Sequence, residues 1–436
     1  MGPHPPELAL DTAPPSRLPD WLGPLVVAAV ALLLCSQGLT LGFGESDQGW
    51  SGGFYGQAVR HLSLRDGLAM RPERDLYLDH PPAVVWLGWL ASQLLGEGPL
   101  AMRLFPWLAQ GAATAGVLLL ARPHLPRPWP ALVALGAIAH PLVAIYGSLP
   151  DPQGSLLWAA VVWACVFAQR GRLWGEVGML ILAFCVDWPT ALAGGLLALF
   201  HTSLRQRGAA IRVGAATAAM AALLLAWIAL LGGWEPLWGA FAHRVGLHGV
   251  LDEAGAPLGW RAAWVAVGQS HLAGATWPLT LVGAVGVGWL AHKRRVAAVL
   301  PLLGLLWVGL FVQGAAIHRY WQIYAVQGLG LAGVWLLAEL PWAERRWLQG
   351  LVLAGLVLAG ARAGLHARSF WLAEAPSRAE LVTVGRSVRQ STPEGAVLHS
   401  NAARVPALAW HAERVIVWES DEAPDVLRRG RQWTLR

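Results

Sequence analysis

The sequence predicts an all-α polytopic membrane protein with about eleven spanning helices, followed by a small C-terminal α/β extracytoplasmic domain. Three observations predict it. Of the 436 residues, 56% are hydrophobic and only 13% are charged, a balance far from that of soluble globular chains. The mean hydropathy is +0.47. Uncharged apolar stretches long enough to cross a bilayer core, about 20 residues each, recur along the chain. The 26 tryptophans suit this placement, because indole favours the headgroup boundary.

The stretches fall at 21–43, 104–121, 128–149, 152–169, 213–232, 273–292, 296–317 and 320–338, with 347–365 as the weakest. Residues 174–204 are uncharged except for Glu176 and Asp187, and read as a helical hairpin with Asp187-Trp188-Pro189 at its tip. Residues 1–20, rich in proline and carrying one basic residue, Arg17, are expected to be a cytoplasmic segment before a retained signal anchor. Residues 21–365 form the expected transmembrane domain, with outer loops 43–103 and 233–272. From 366 to 436 the apolar character falls away, and helical and strand patterns alternate as in a small α/β unit.

The formal charge of +6 is almost wholly arginine, since Lys293 is the only lysine. Short loops between apolar stretches carry five basic sets, Arg122 and Arg127, Arg170 and Arg172, Arg205, Arg207 and Arg212, Lys293 to Arg295, and Arg345 and Arg346. The positive-inside rule places all five sets in the cytoplasm and accounts for them with membrane lipids as the only partner, without nucleic acid. If 82–96 also spanned, every later loop would change sides, so this segment is expected to lie along or re-enter the outer face. Cys35, Cys165 and Cys185 lie in apolar stretches and form neither a disulfide framework nor a CxxC metal signature.

This topology gathers polar residues on the outer face. Glu45 and Asp47 follow the first span in a glycine-rich loop, where small residues allow close approach of backbone to a ligand. A plainer alternative is that both acids solvate the loop. Asp151, in Pro150-Asp151-Pro152, heads a span and equally suits a helix N-terminus. Asp187 interrupts an uncharged run, and an acid near the membrane points to function. Asp79 and His80 precede Pro81-Pro82, which pins an extended turn. His318 and Arg319 stand between two spans, facing the outer pocket, where arginine suits phosphate by paired hydrogen bonds; an ordinary interfacial pair is the alternative.

The run Ser46-Asp47-Gln48-Gly49-Trp50-Ser51-Gly52, then Tyr55-Gly56-Gln57-Ala58-Val59-Arg60, Tyr77-Leu78-Asp79-His80-Pro81-Pro82 and Leu100-Ala101-Met102-Arg103 resembles the GT-C fold glycosyltransferases. The likeness is to bacterial relatives of the dolichyl-phosphate-mannose-protein mannosyltransferases and the lipid A aminoarabinose transferases. Relatives usually carry His before the acid and Asn where Ser51 stands. The resemblance implies an inverting transfer from a polyprenyl-phosphate-linked sugar donor to an envelope acceptor, on the outer face of a bacterial inner membrane. By position Asp47 is the implied general base, with Glu45 as its substitute, and Asp151 matches the second acidic position. Arg60, Asp79, His80, Arg103, Asp187, His318, Arg319 and Tyr320 are the expected donor- and substrate-binding residues. Some GT-C enzymes that build N-glycans bind a divalent metal through two acidic loops, whereas the mannosyltransferase branch looks metal-independent, so no cofactor is expected. A transporter of lipid-linked intermediates would instead show internal repeats and charges near the midplane, and a non-catalytic envelope assembly factor would not need Asp47, Asp151 and His80.

Overall fold

The computed structural model describes residues 19–62, 80–232, 234, 238, 259–272, 277–394, 396–400, 405–418 and 433–434. Asp79, Tyr77 and Leu78, residues 1–18 and most of the loop 233–258 lie outside them.

The first helix, α1, covers Leu22–Leu34 and stops well short of residue 43. The reason is Arg103, whose guanidinium donates to the carbonyls of Gly38 and Leu41 and holds 35–46 in turns. Two helices then lie before the next long one: α2, Asp47–Arg60, and α3, Ala83–Leu95. α4, Pro99–Ala121, begins on a proline whose missing N–H is no loss at a helix start.

The stretch 128–149 is broken in the same way, since Pro141 ends α5, Trp129–Ile138, and opens the short α6, Pro141–Tyr146. There follow α7, Ser155–Gln169, and a hairpin of α8, Leu173–Val186, and α9, Thr190–Ser203. Then come α10, Arg207–Gly232, α11, Trp260–Leu272, and α12, Trp277–His292. Beyond them lie α13, Val299–Leu310, α14, Val312–Ile317, and α15, Ile323–Ala338. α16, Arg346–Ala373, runs past residue 366, and α17 covers Ala375–Ser391. Among the described residues, four helical stretches are long and apolar enough to cross a membrane: 99–121, 207–230, 319–338 and 346–391.

α15 is the central helix. Gly330 meets the backbone of Gly136 on α5, and Gly328 meets Pro301 on α13; Gly283 and Gly286 of α12 lie against the carbonyls of Leu329 and Ala332. Apolar lipid gives no hydrophobic reward for helix association, so close backbone packing at small residues supplies the contact. Interhelical hydrogen bonds add to it: Gln110 of α4 donates to Gln327 of α15 at 3.0 Å, and Ser155 of α7 donates to Gln110 at 2.8 Å.

The basic loops meet at one end. Arg294 donates to the Ser203 carbonyl at 2.9 Å, Arg295 to His124 at 2.8 Å, and Trp129 to the Ala343 carbonyl at 3.0 Å.

After α17 the chain forms β1, Val397–Ser400, α18, Val405–Ala412, β2, Val415–Trp418, and β3, Trp433–Thr434, with strand order β2-β1-β3, all parallel. This tail packs on α2. Trp410 meets Phe43 edge-on at 5.2 Å, and Gly53 lies against the backbone of Pro406, where a side chain would collide.

Candidate active site

Asp47 is the first residue of α2, where a carboxylate complements the positive end of the helix. Two distant segments and one local contact hold this turn. The Ser46 N–H donates to Glu374 Oε1 at 3.2 Å, at the end of α16. The Gln48 side chain, fully buried, donates to the Ile145 carbonyl of α6. Gly49 packs on the backbone of Gly44, so the loop can fold back only because no side chain intervenes. The Asp47 carboxylate keeps 28% of its surface open, lies 3.8 Å from His318 Nδ1 and faces the Tyr146 phenol.

Behind it are two buried acids. Asp151, in the turn between α6 and α7, is 4% exposed. Its Oδ2 accepts from Ser51 Oγ at 3.1 Å and its Oδ1 from the Gln153 N–H at 2.9 Å. Burial pushes its carboxyl above the ordinary carboxylate range; His80 and the hydrogen bonds oppose the shift and Asp187 adds to it. Asp187, the C-cap of α8, has no exposed surface. His80 Nδ1 stands 2.7 Å from its Oδ1, which also accepts the Trp188 N–H at 2.8 Å. Asp187 Oδ2 is buried without a hydrogen-bond partner among the described residues.

The structure therefore brings together Asp47, His80, Asp151, Asp187 and His318, with the Tyr320 ring tilted against His318 at 5.6 Å and against Tyr146 at 6.0 Å. Glu45 is exposed, two residues before Asp47. Arg60 ends α2, about 20 Å along the helix from Asp47. It is taken up by Glu97 at 2.9 Å, the Trp410 carbonyl at 2.6 Å and the Trp410 ring at 3.8 Å. Arg103 is fully buried on the Gly38 and Leu41 carbonyls, between the rings of Phe43 and Trp371.

Arg319 lines a cavity of about 280 Å³ with His140, Ser270, Arg362, His366 and Ser369. Sequence reasoning did not single out Arg362 and His366. Their spacing of four, which puts both on one face of a helix in an apolar run, was the available signal. Ser51, Gln48, Tyr146 and Glu374 were missed as well, because only tertiary contacts give them a role. Among the described residues no three His, Cys, Asp or Glu side chains group as metal ligands.

The helical arrangement is that of a GT-C membrane fold. Solved structures with this arrangement include ArnT, an aminoarabinose transferase, from Cupriavidus metallidurans in the apo state. It shares 15% identity over 90% of this chain and 84% of that chain, with a TM-score of 0.66. The same protein bound to undecaprenyl phosphate shares 14% identity over 91% of this chain and 86% of that chain, with a TM-score of 0.65. The archaeal oligosaccharyltransferase AglB from Archaeoglobus fulgidus, in complex with an inhibitory peptide and a dolichol-phosphate, shares 11% identity over 90% of this chain and 63% of that chain, with a TM-score of 0.49. No family model and no curated protein matches the chain.

Proposed function

We propose that the protein is an inverting glycosyltransferase that moves a sugar from a polyprenyl-phosphate donor to an envelope acceptor at the outer face of a bacterial inner membrane. The observation that carries this reading is the convergence of Asp47, Asp151, Asp187, His80 and His318 at the end of the molecule opposite the basic loops, in a fold shared with ArnT, which was crystallised with undecaprenyl phosphate.

Asp47 is the general base, because it is the acid of the three with an open face and a helix start that stabilises its charged form. It takes the proton of an acceptor hydroxyl or amine. The freed electron pair attacks the anomeric carbon from the side opposite the phosphate, the carbon–oxygen bond to phosphate breaks, and polyprenyl phosphate leaves with those electrons. A single displacement inverts the anomeric centre. Arg319 and Arg362, around one cavity that His366 also lines, supply the charge that holds the donor phosphate and steadies it as it leaves. Asp151 acts through Ser51 to fix the first turn of α2, and the His80–Asp187 pair fixes the loop beneath it.

Transfer of labelled sugar from a panel of polyprenyl-phosphate sugars to native membrane acceptors tests this, comparing the wild type with Asp47→Asn at equal expression. Lipid-linked transfer that disappears in the variant is the expected result. Transfer from no donor, or transfer that the variant leaves intact, overturns the assignment.

A further inference from the structure

At the opposite end of the molecule, a second cavity of about 500 Å³ opens between the α7–α8 turn and the α9–α10 turn. Arg205, Arg207 and Arg212 line it, all exposed, and none forms an ion pair among the described residues. The one carboxylate in its wall is already engaged: Glu176, 1% exposed, lies 3.0 Å from His201 Nε2, and His201 Nδ1 is 2.7 Å from Gln206 Oε1. Three guanidinium groups thus face one concave space with no protein anion left to answer them. Like charges around one cavity repel, and an anion bound among them offsets that repulsion.

The surroundings say what kind of anion fits. Leu199, Leu204 and Ile211 on the adjoining helices are 66%, 37% and 69% exposed, and Trp174 beside the mouth is 82% exposed. An apolar surface running away from a cationic cavity, with an interfacial tryptophan at its rim, matches a lipid whose headgroup is anionic and whose chains lie along the helices. We propose that this cavity binds the phosphate headgroup of an anionic phospholipid of the leaflet at the basic end, a site separate from the acidic cluster. Guanidinium forks suit phosphate oxygens in pairs, so the headgroup is held by the α9–α10 turn while the α7–α8 turn forms the opposite wall.

The test is native mass spectrometry of the purified full-length protein in detergent, titrated with phosphatidylglycerol, phosphatidylcholine or inorganic phosphate. Wild type should retain phosphatidylglycerol over phosphatidylcholine, and the triple variant Arg205→Ala, Arg207→Ala, Arg212→Ala should lose about tenfold or more of that retention. Arg345→Ala with Arg346→Ala, at the same end but outside the cavity, should lose little. Gly208→Glu is the second arm. A side chain there meets only the tip of Arg212, and an acid in the first turn of α10 favours the helix, so this variant folds while placing a carboxylate in the cavity. It should abolish retention as the triple variant does. Equal loss in the Arg345/Arg346 variant, equal retention of phosphatidylcholine, or displacement of the lipid by millimolar inorganic phosphate overturns the proposal.

Discussion

The two ends of the molecule treat charge in opposite ways. Where α2 begins, acids are drawn inward: Asp151 and Asp187 are 4% and 0% exposed, and they are held by Ser51 and His80 from segments about a hundred residues away. At the basic end the arginines stay outside, and Arg294 and Arg295 close loops through a carbonyl and a histidine. Keeping an ionisable group out of water costs free energy, whereas leaving one at the interface costs little. Under the proposed function, the end that bears this cost is the one that carries the chemistry, and the basic end is the one that sets orientation in the membrane.

Several substitutions sharpen that contrast, beginning with the largest effect. Asp47→Asn should lower turnover about 10² to 10⁴-fold in the sugar-transfer assay while thermal unfolding stays unchanged, the loss expected of a general base. Arg319→Ala and Arg362→Ala, each removing a charged donor, should raise the donor KM about ten- to a hundredfold with a smaller change in kcat. If both variants instead match wild type, the phosphate lies elsewhere.

Asp151→Asn should behave differently from Asp47→Asn. The folded protein raises the Asp151 carboxyl through burial, so its favourable contribution is complete below the ordinary carboxylate value and is lost as pH rises through the folded value. The asparagine variant keeps its oxygen as acceptor for the Gln153 N–H, can donate its amide to Ser51 Oγ, and carries no charge to bury. Its thermal midpoint should exceed that of wild type at neutral pH, with the gap closing near pH of about 4. A variant less stable than wild type at every pH would show that the ionised carboxylate holds the turn.

The smallest effect concerns the tail. His411 Nε2 lies 3.0 Å from the Phe43 carbonyl, and burial, reinforced by Arg60 and Arg386, keeps the imidazole below its usual value. Neutral His411 therefore stabilises docking above a pH of about 6.5, and the contribution fades as acidification reaches the depressed value. Protection of the α2 and α18 amides against hydrogen exchange, relative to the intrinsic rate at each pH, should fall on acidification in wild type and should not do so in His411→Gln.

The sequence made the turns legible because their signals are local. Pro150-Asp151-Pro152 and Asp187-Trp188-Pro189 mark interruptions in apolar runs; Asp187 caps the end of α8, whereas Asp151, expected at a helix start, stands in the turn four residues before α7, which begins at Ser155 with no acid in its first turn. Local signals also misjudged α1, whose apolar run continues to residue 43 although the helix ends at Leu34, because the cause lies on α4, in Arg103. Arg60 reads as a phosphate ligand by charge and side, and Arg103 by motif; the contacts they make are with Glu97, Trp410 and the 38–41 carbonyls, none of them near in sequence. Glu374, which holds the N–H of Ser46, is 328 residues away, and no periodicity reports such a pairing.

That last contact and the Trp410 seat under Gly56 have a consequence for how the protein is made. α2 is made well before the residues that brace it, Glu374, Pro406, Trp410 and His411. The bundle up to α15 can insert span by span while α2 still lacks those braces. A chain interrupted after α15 would leave the proposed site without its supports, so under the proposed function activity waits for α16 to α18.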